Sequence, residues 1–294
     1  MEENQTEATK ISPEEFGEAF LNGKYSILYH QFTDEFKNVI SLQQFIEYGK
    51  EFNAGVQKYT LEMITNLMED IKQYVWLDDT RNKAISVSFG GDDTIYGIHL
   101  APFAAFPESD CRYTKNEYRM PIQGEWFVFW GGTNQFVNYH YVYEAQRYAY
   151  DLLILKDGKS YRDSREKNER FYAFNKEIMA PADGVVVKVT DGIEDNVPGE
   201  MNPDIPEGNC IIMEHSNSEY SMMAHLKNHS ILVKEGERVK KGQVIGYCGN
   251  SGNSTEAHLH FQVMNAADYL KGQSIRILFE NGKEPIQGDF IHAH

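Results

Sequence analysis

From about residue 121 onward, the chain is a series of short β-prone runs separated by glycine, asparagine and aspartate. The runs are EWFVFWGG, QFVNYHYVY, QRYAYDLLIL, GVVVKV, CIIMEH, EYSMMAHL and QVIGYCG. Helical periodicity is nearly absent from this part, so helices are not predicted there. Many short strands with turn residues between them are typical of an all-β barrel or sandwich.

The first hundred residues have a different pattern, in which helix signals precede strand signals. SPEEF and SLQQF each carry a capping-box pattern, through Ser12 with Glu15 and Ser41 with Gln44. The runs QYVWL, AISVSF and TIYGIHL follow, separated by turn clusters, and predict strands. We therefore expect three regions. These are a small α+β module over residues 1–100, a proline-containing linker over 101–120 and a β domain over 121–294.

Charge and cysteine content limit the classes of partner and site. The formal net charge is −16, which excludes an extended nucleic-acid face and disfavours adsorption onto an anionic membrane. The apolar run DLLIL is too short to span a bilayer, so no membrane insertion is predicted. Three cysteines without a C-x-x-C pair argue against a disulfide framework and against zinc bound by thiolates.

Two histidines stand one residue apart in the apolar run EAHLHFQV. Because side chains alternate along a strand, His258 and His260 are predicted to point to the same side. Two imidazoles on one face can share a metal, a substrate oxygen or a proton-transfer path. A packed core histidine beside a solvated one is the alternative for this motif.

Two glycine-punctuated segments, APADGVVVKV and VKEGERVKKGQVIGYCGNSG, predict strand–turn–strand units of the kind that build barrel-sandwich hybrids. Lipoyl and biotinyl carrier domains share this pattern, but they display a lysine at a hairpin tip. Here Asp183 and Gly184 occupy the comparable turn, which argues against a carrier role.

The order APADGVVV, EYSMMAHL, VKEGERVKKGQVIGYCGNSGNS and HLHFQV resembles the zinc metallopeptidases of the lysostaphin type, the M23 group, over roughly residues 121–265. The resemblance implies a duplicated hybrid motif of the barrel-sandwich kind and a Zn²⁺ cofactor. It also implies hydrolysis of peptide bonds in peptidoglycan stems or cross-bridges by a metal-activated water. A location outside the cell or in the wall of a bacterium follows from that substrate.

The resemblance also implies roles for individual residues. His260 and Asp151 match metal-binding positions, and His258 and His225 match catalytic histidines. The remaining ligand of the family comes from an H-x-x-x-D pattern, in which position 147 would be histidine. Here Arg147 stands at that position, and a guanidinium has no lone pair to give a metal.

The segment YHYVYEAQRYAYDLL offers a replacement ligand. If it forms a hairpin with Glu144 and Ala145 at the turn, His140 lies on the same face as Asp151, about 7–8 Å away diagonally. We therefore predict His140, Asp151 and His260 as the ligands, although a three-residue turn would reverse the face of His140. Arg147 is predicted to hold Asp151, to bind a substrate carboxylate or to form a surface salt bridge.

Two other functions fit the same residues. The first is a non-catalytic member of the fold that binds wall peptides or activates a partner hydrolase, and metal content would distinguish it from an enzyme. The second is a histidine phosphocarrier, which would not need Asp151 beside the H-x-H motif. The bond that is cleaved is not encoded in any motif.

The N-terminal module loosely resembles NTF2-like and cystatin-like modules. This resemblance predicts that the module binds another protein or shields the active site. The histidines outside the motifs are predicted to be structural. They are His30, His99, His215 and His229. The C-terminal pair His292 and His294 also has the H-x-H spacing, but it is expected on a tail without a supporting motif and is not predicted to form a site.

Overall fold

A computed structural model describes residues 10–68 and 70–293, which divide into two compact units between Ala104 and Ala105. Among the helices in these ranges, none has the length and apolar character needed to cross a bilayer. The N-terminal unit contains helices and one sheet, whereas the C-terminal unit is almost entirely β. The predicted fold class, an α+β module followed by an all-β domain, is therefore confirmed.

Four short helices open the N-terminal unit, after a 3-10 turn at Pro13–Glu15. They are α1 Phe16–Leu21, α2 Tyr25–His30, α3 Asp34–Val39 and α4 Leu42–Phe52. The predicted capping boxes are present. At the start of α4, the Gln44 N–H donates to Ser41 Oγ over 3.3 Å, and the Ser41 N–H donates to Gln44 Oε1 over 3.0 Å.

A four-stranded antiparallel sheet in the order β1-β2-β3-β4 completes this unit. Its strands are β1 Tyr59–Met68, β2 Ile71–Asp78, β3 Lys83–Gly90 and β4 Ile95–Pro102. The last three coincide with the predicted alternating runs. Aromatic packing holds the core, where Phe16 lies 5.3 Å from Trp76 and 5.8 Å from Phe89 between ring centroids.

The predicted linker differs from the structure. Residues 107–110 form helix α5 (Pro107–Asp110) and residues 113–118 form strand β5 (Tyr113–Tyr118), both in the C-terminal unit. Tyr118 is fully buried, and its hydroxyl donates to the Glu219 carboxylate over 3.0 Å. The prolines and mixed polarity of this segment therefore mark turns around a packed strand rather than a free connector.

The C-terminal unit contains eleven further strands. They are β6 Gly124–Trp130, β7 Tyr150–Leu153, β8 Glu177–Met179, β9 Gly184–Thr190, β10 Asn209–Glu214, β11 Tyr220–Leu226, β12 Arg238–Val239, β13 Val244–Tyr247, β14 Leu259–Met264, β15 Arg276–Phe279 and β16 Phe290–Ala293. Eight strands form one sheet in the order β12-β9-β10-β11-β14-β7-β6-β16. Two small sheets, β13-β8 and β15-β5, accompany it around a core that includes Trp126, Ile211 and Phe261.

The predicted hairpin between residues 138 and 151 is wrong. Tyr139–Val142 forms a 3-10 turn, and further turns follow before β7 begins at Tyr150. The run of tyrosines has high β propensity, but that propensity depends on packing more than on the backbone. Here Asn138 caps the 3-10 turn, since its side chain accepts the His140 N–H.

We expect Gly249→Ala to destabilise the C-terminal unit, because an added Cβ would lie 2.3 Å from the Lys227 backbone. Overpacking of this kind costs about 1–3 kcal/mol. Gly246→Ala is the matched control, since its nearest neighbours would lie at 3.6 Å. Thermal unfolding of both variants measures the difference, and equal midpoints would contradict the close approach of the two loops.

Candidate metal centre

Three neighbouring strands in the middle of the large sheet assemble the site. In the register of β14 with β7, His260 faces Asp151, and in the register of β14 with β11, His260 faces Ala224. His225 follows Ala224 on β11, and His258 directly precedes β14. Sheet pairing thus brings Asp151, His225 and His260 together from distant parts of the chain.

A buried cluster of two imidazoles and one carboxylate forms at this point. Nδ1 of His260 lies 2.9 Å from Oδ1 of Asp151, and Nε2 of His140 lies 3.6 Å from Oδ2. One ligand atom from each residue lies within 4.8 Å of the others. His140 therefore lies close to Asp151, as the sequence predicts, although a turn rather than a hairpin places it there.

The charges of the cluster favour a cation. Burial alone would raise the pKa of the Asp151 carboxyl, but attraction to the surrounding imidazoles outweighs burial and holds that pKa well below its usual value. Burial lowers the pKa of His140 to about 3, so this ring is neutral at pH 7. Burial also opposes the charged form of His260, but the hydrogen bond that its Nδ1 donates to the Asp151 carboxylate raises its pKa above the usual value.

One orphaned atom tests whether a metal fits. Nε2 of His140 is buried and has no hydrogen-bond partner among the described residues, although a carboxylate oxygen lies 3.6 Å away. A buried ring nitrogen without a partner is costly unless something binds its lone pair. Zinc bonds of about 2.0–2.2 Å place tetrahedral ligands about 3.3–3.6 Å apart. The 3.6 Å between His140 and Asp151 lies in this range, and the 2.9 Å between His260 and Asp151 is that of a hydrogen bond, which a metal would replace. The residues therefore fit a metal ion.

Two further histidines lie beside the cluster, and neither belongs to it. Nδ1 of His225 donates to the Ser251 carbonyl over 2.9 Å, and Nδ1 of His258 donates to the Glu256 carbonyl over 2.9 Å. Their ring centroids are 4.7 Å apart, and Nε2 of His258 lies 3.8 Å from Oδ1 of Asp151. Burial lowers the pKa of His225 well below its usual value. Nδ1 of both rings is therefore occupied, and neither Nε2 has a hydrogen bond among the described residues.

The backbone at His225 is unusual. Its φ of 61° lies in the left-handed region, which few residues other than glycine adopt. The Glu207 carbonyl accepts the His225 N–H over 3.1 Å, and the His225 carbonyl accepts the Gly249 N–H over 3.1 Å. These two bonds hold the residue in a conformation that no sequence pattern indicates.

Arg147 does not lie where its predicted roles require. The side chain is buried, its guanidinium stacks 3.5 Å from the Phe106 ring centre, and its Nε donates to the Tyr141 carbonyl over 3.0 Å. The predictions that Arg147 holds Asp151 or forms a surface salt bridge are therefore wrong. Arg147 instead stabilises the turn that carries His140. No contact of Arg147 supports the predicted role in binding a substrate carboxylate.

The remaining predicted residues behave differently from one another. His215 is structural, as predicted, because its ring bonds the Asp183 carbonyl at 2.8 Å and the Ser221 hydroxyl at 2.7 Å. His292 lies on the sheet-edge strand β16, where it pairs with Glu125 at 3.0 Å, and not on a free tail. His294 lies outside the described residues.

The structure adds residues to the site that the motifs do not indicate. The cleft beside the cluster is lined by Tyr139, Gln146, Glu207, Asn253, Gln262 and Tyr269. Gln262 could have been found from strand alternation, since it lies two residues after His260 on the same face. Glu207 and Asn253 are in loops, where the sequence gives no comparable signal.

Residues 170–275 match the model of peptidase family M23. This range includes His225, His258 and His260 but not His140 or Asp151. Of the proposed metal cluster, His260 thus lies inside the matched range, and His140 and Asp151 lie before it.

Two relatives and one solved structure indicate what this chain is similar to. It is 44% identical over 87 residues to the peptidoglycan DD-endopeptidase ShyC of Vibrio cholerae, which is 30% of this chain and 17% of ShyC. It is 34% identical over 101 residues to the murein hydrolase activator NlpD of Salmonella dublin, which is 34% of this chain and 22% of NlpD. The chain thus spans less than a quarter of either relative. The lysostaphin catalytic domain from Staphylococcus simulans aligns at 24% identity over 43% of this chain and 73% of that domain, with a TM-score of 0.29.

We expect Arg147→Ala to lower the free energy of unfolding of the C-terminal unit by about 2–4 kcal/mol, because a buried cation–π contact and a charged hydrogen bond are lost together. Arg170→Ala is the control, since it removes only an exposed ion pair with Asp163. Urea unfolding measures both. Unchanged stability with a raised KM for a peptide would instead favour the substrate-carboxylate role.

Proposed function

Because this chain carries a peptidase M23 domain, we propose that it is a zinc-dependent endopeptidase that hydrolyses peptide bonds in peptidoglycan. The observation that carries the proposal is the buried cluster of His140, Asp151 and His260, in which Nε2 of His140 has no hydrogen-bond partner among the described residues. The similarity to a DD-endopeptidase supports a wall peptide as the substrate.

The donor set supports zinc in particular. Two imidazoles and one carboxylate are a common ligand set of zinc hydrolases, which leave one position open. Calcium and magnesium prefer oxygen ligands, so they suit this cluster poorly. When bound, zinc would supply Lewis acidity to the attacking water and to the peptide carbonyl.

The two remaining histidines are suited to handling protons. Nδ1 of each ring is fixed by a backbone carbonyl, which leaves Nε2 available. His225 lines the cleft beside the cluster, and Nε2 of His258 lies 3.8 Å from the Asp151 carboxylate. From there they can donate to the oxygen that gains charge and carry a proton to the leaving amine. Burial lowers the pKa of His225 and so favours its neutral ring, which can accept a proton before it passes that proton to the leaving amine.

A non-catalytic activator is the second candidate, and the similarity to NlpD favours it. The site argues in the other direction, because a binding domain has no need of three potential ligands with two free imidazoles beside them. A phosphocarrier is less well supported, since it would not require a buried carboxylate 2.9 Å from His260.

A wall substrate implies a location outside the cytoplasm of a bacterium or in its envelope. Partner binding or shielding by the N-terminal unit stays a prediction. The proposal for the C-terminal unit depends on neither statement.

Metal analysis tests the ligands. We expect about one zinc per wild-type chain, and much less in His140→Ala and His260→Ala, because each variant removes one of the three protein ligands. His292→Ala is the matched control, as it alters an H-x-H histidine on the edge strand β16. Full zinc and full activity in His140→Ala would show that the third ligand is wrongly assigned. A metal-free wild type would favour the activator.

Digestion of purified muropeptides tests the proton-transfer residues. We expect His225→Ala and His258→Ala to keep near wild-type zinc and to lower kcat by about 10²–10⁴-fold, the usual contribution of general acid–base catalysis. His30→Ala, in the N-terminal unit, is the control. Wild-type kcat in both site variants would contradict their catalytic role.

A further inference from the structure

We propose that two buried amide side chains, Asn138 and Gln262, are positioning residues that fix the tautomers of the two histidine ligands. The inference rests on the metal site proposed above and concerns how it is held ready. A neutral imidazole binds a metal through whichever nitrogen lacks a proton, and the partner of the other nitrogen decides which one that is. Both outer nitrogens here face an amide oxygen.

Asn138 sets the ring of His140. The amide is fully buried, and its Oδ1 lies 2.8 Å from Nδ1 of His140. Its Nδ2 donates to three backbone carbonyls, those of Gly132, Arg147 and Ala149, at 3.0, 3.3 and 3.1 Å. Carbonyls only accept, so they fix which end of the amide is the donor and leave Oδ1 for the ring. Nδ1 of His140 therefore carries the proton, and Nε2 is left bare.

Gln262 sets the ring of His260 in the opposite sense. The Gln262 amide is also fully buried, and its Oε1 lies 3.0 Å from Nε2 of His260. Its Nε2 donates to the Ala145 carbonyl over 3.0 Å, which again fixes the amide. Nε2 of His260 therefore donates to Gln262, and Nδ1 lies 2.9 Å from the Asp151 carboxylate. A metal bound between them would take the place of the proton that Nδ1 shares with this carboxylate.

The two rings thus present different nitrogens to one carboxylate. His140 offers Nε2 and His260 offers Nδ1. If both rings had the same tautomer, one of them would present a protonated nitrogen, which cannot bind a metal. Each ring needs its own acceptor, and burial excludes water from replacing it. The two amides also anchor the turn between residues 132 and 149, through its carbonyls at Gly132, Ala145, Arg147 and Ala149.

Zinc affinity of the full chain, measured by competition with a chelator, tests the inference on Gln262. We expect Gln262→Leu to weaken zinc binding about 10–100-fold, the usual effect of losing the partner of a ligating histidine. Gln262→Glu keeps an acceptor oxygen and is expected to restore the affinity to within a few-fold. Gln287→Leu is the matched control, because Gln287 is also buried and donates to a backbone carbonyl, that of Phe129.

Ring-nitrogen NMR of the zinc-loaded wild type gives a second readout that does not depend on any variant folding. We expect the proton on Nδ1 of His140 and on Nε2 of His260, and the reverse assignment for either ring would overturn the inference. Equal zinc affinity in wild type and Gln262→Leu would overturn it and leave the metal site standing. No zinc in the wild type would overturn the metal site and this inference together.

Discussion

The buried carboxylate of Asp151 is the interaction on which the site depends. It lies within 3.8 Å of imidazoles on two segments, the turn of His140 and the segment of His258 and His260. Burial opposes its charge, but those rings stabilise it and hold its pKa far below the usual value. A buried anion without a matching cation is expensive, so the arrangement makes sense if a divalent ion completes it. Nε2 of His140, on a neutral ring and without a hydrogen-bond partner among the described residues, also indicates that a metal ion binds here.

The large sheet supplies the precision that such a cluster needs. Pairing of β14 with β7 places His260 opposite Asp151, and a slip of one residue would turn His260 to the other face. The turn that carries His140 is irregular, yet Asn138, Arg147 and Gln262 fasten it with buried hydrogen bonds. At the cluster, the strands are thus held by sheet pairing, and the irregular turn is held by side-chain hydrogen bonds.

The parts of this arrangement that follow strand periodicity could be predicted, and the others could not. Alternation alone indicated that His258 and His260 share a side, and both lie within 3.8 Å of the Asp151 carboxylate. The left-handed backbone of His225 and the stacking of Arg147 on Phe106 depend on partners far away in the sequence. For His140, the expected proximity to Asp151 was right, but the hairpin behind it was not, because the bonds of the Asn138 amide have no sequence signature.

The position of β16 has a consequence for solubility. This strand covers β6, whose sequence GEWFVFW is among the most apolar of the unit, and it leaves its own outer edge to solvent. If β16 were displaced, β6 would offer unpaired amides on an apolar strand, which is a template for pairing with other chains. The four residues Phe290–Ala293 thus protect a strand that is itself hydrogen-bonded to β7 and Asp151, so aggregation and loss of the site would begin at the same edge.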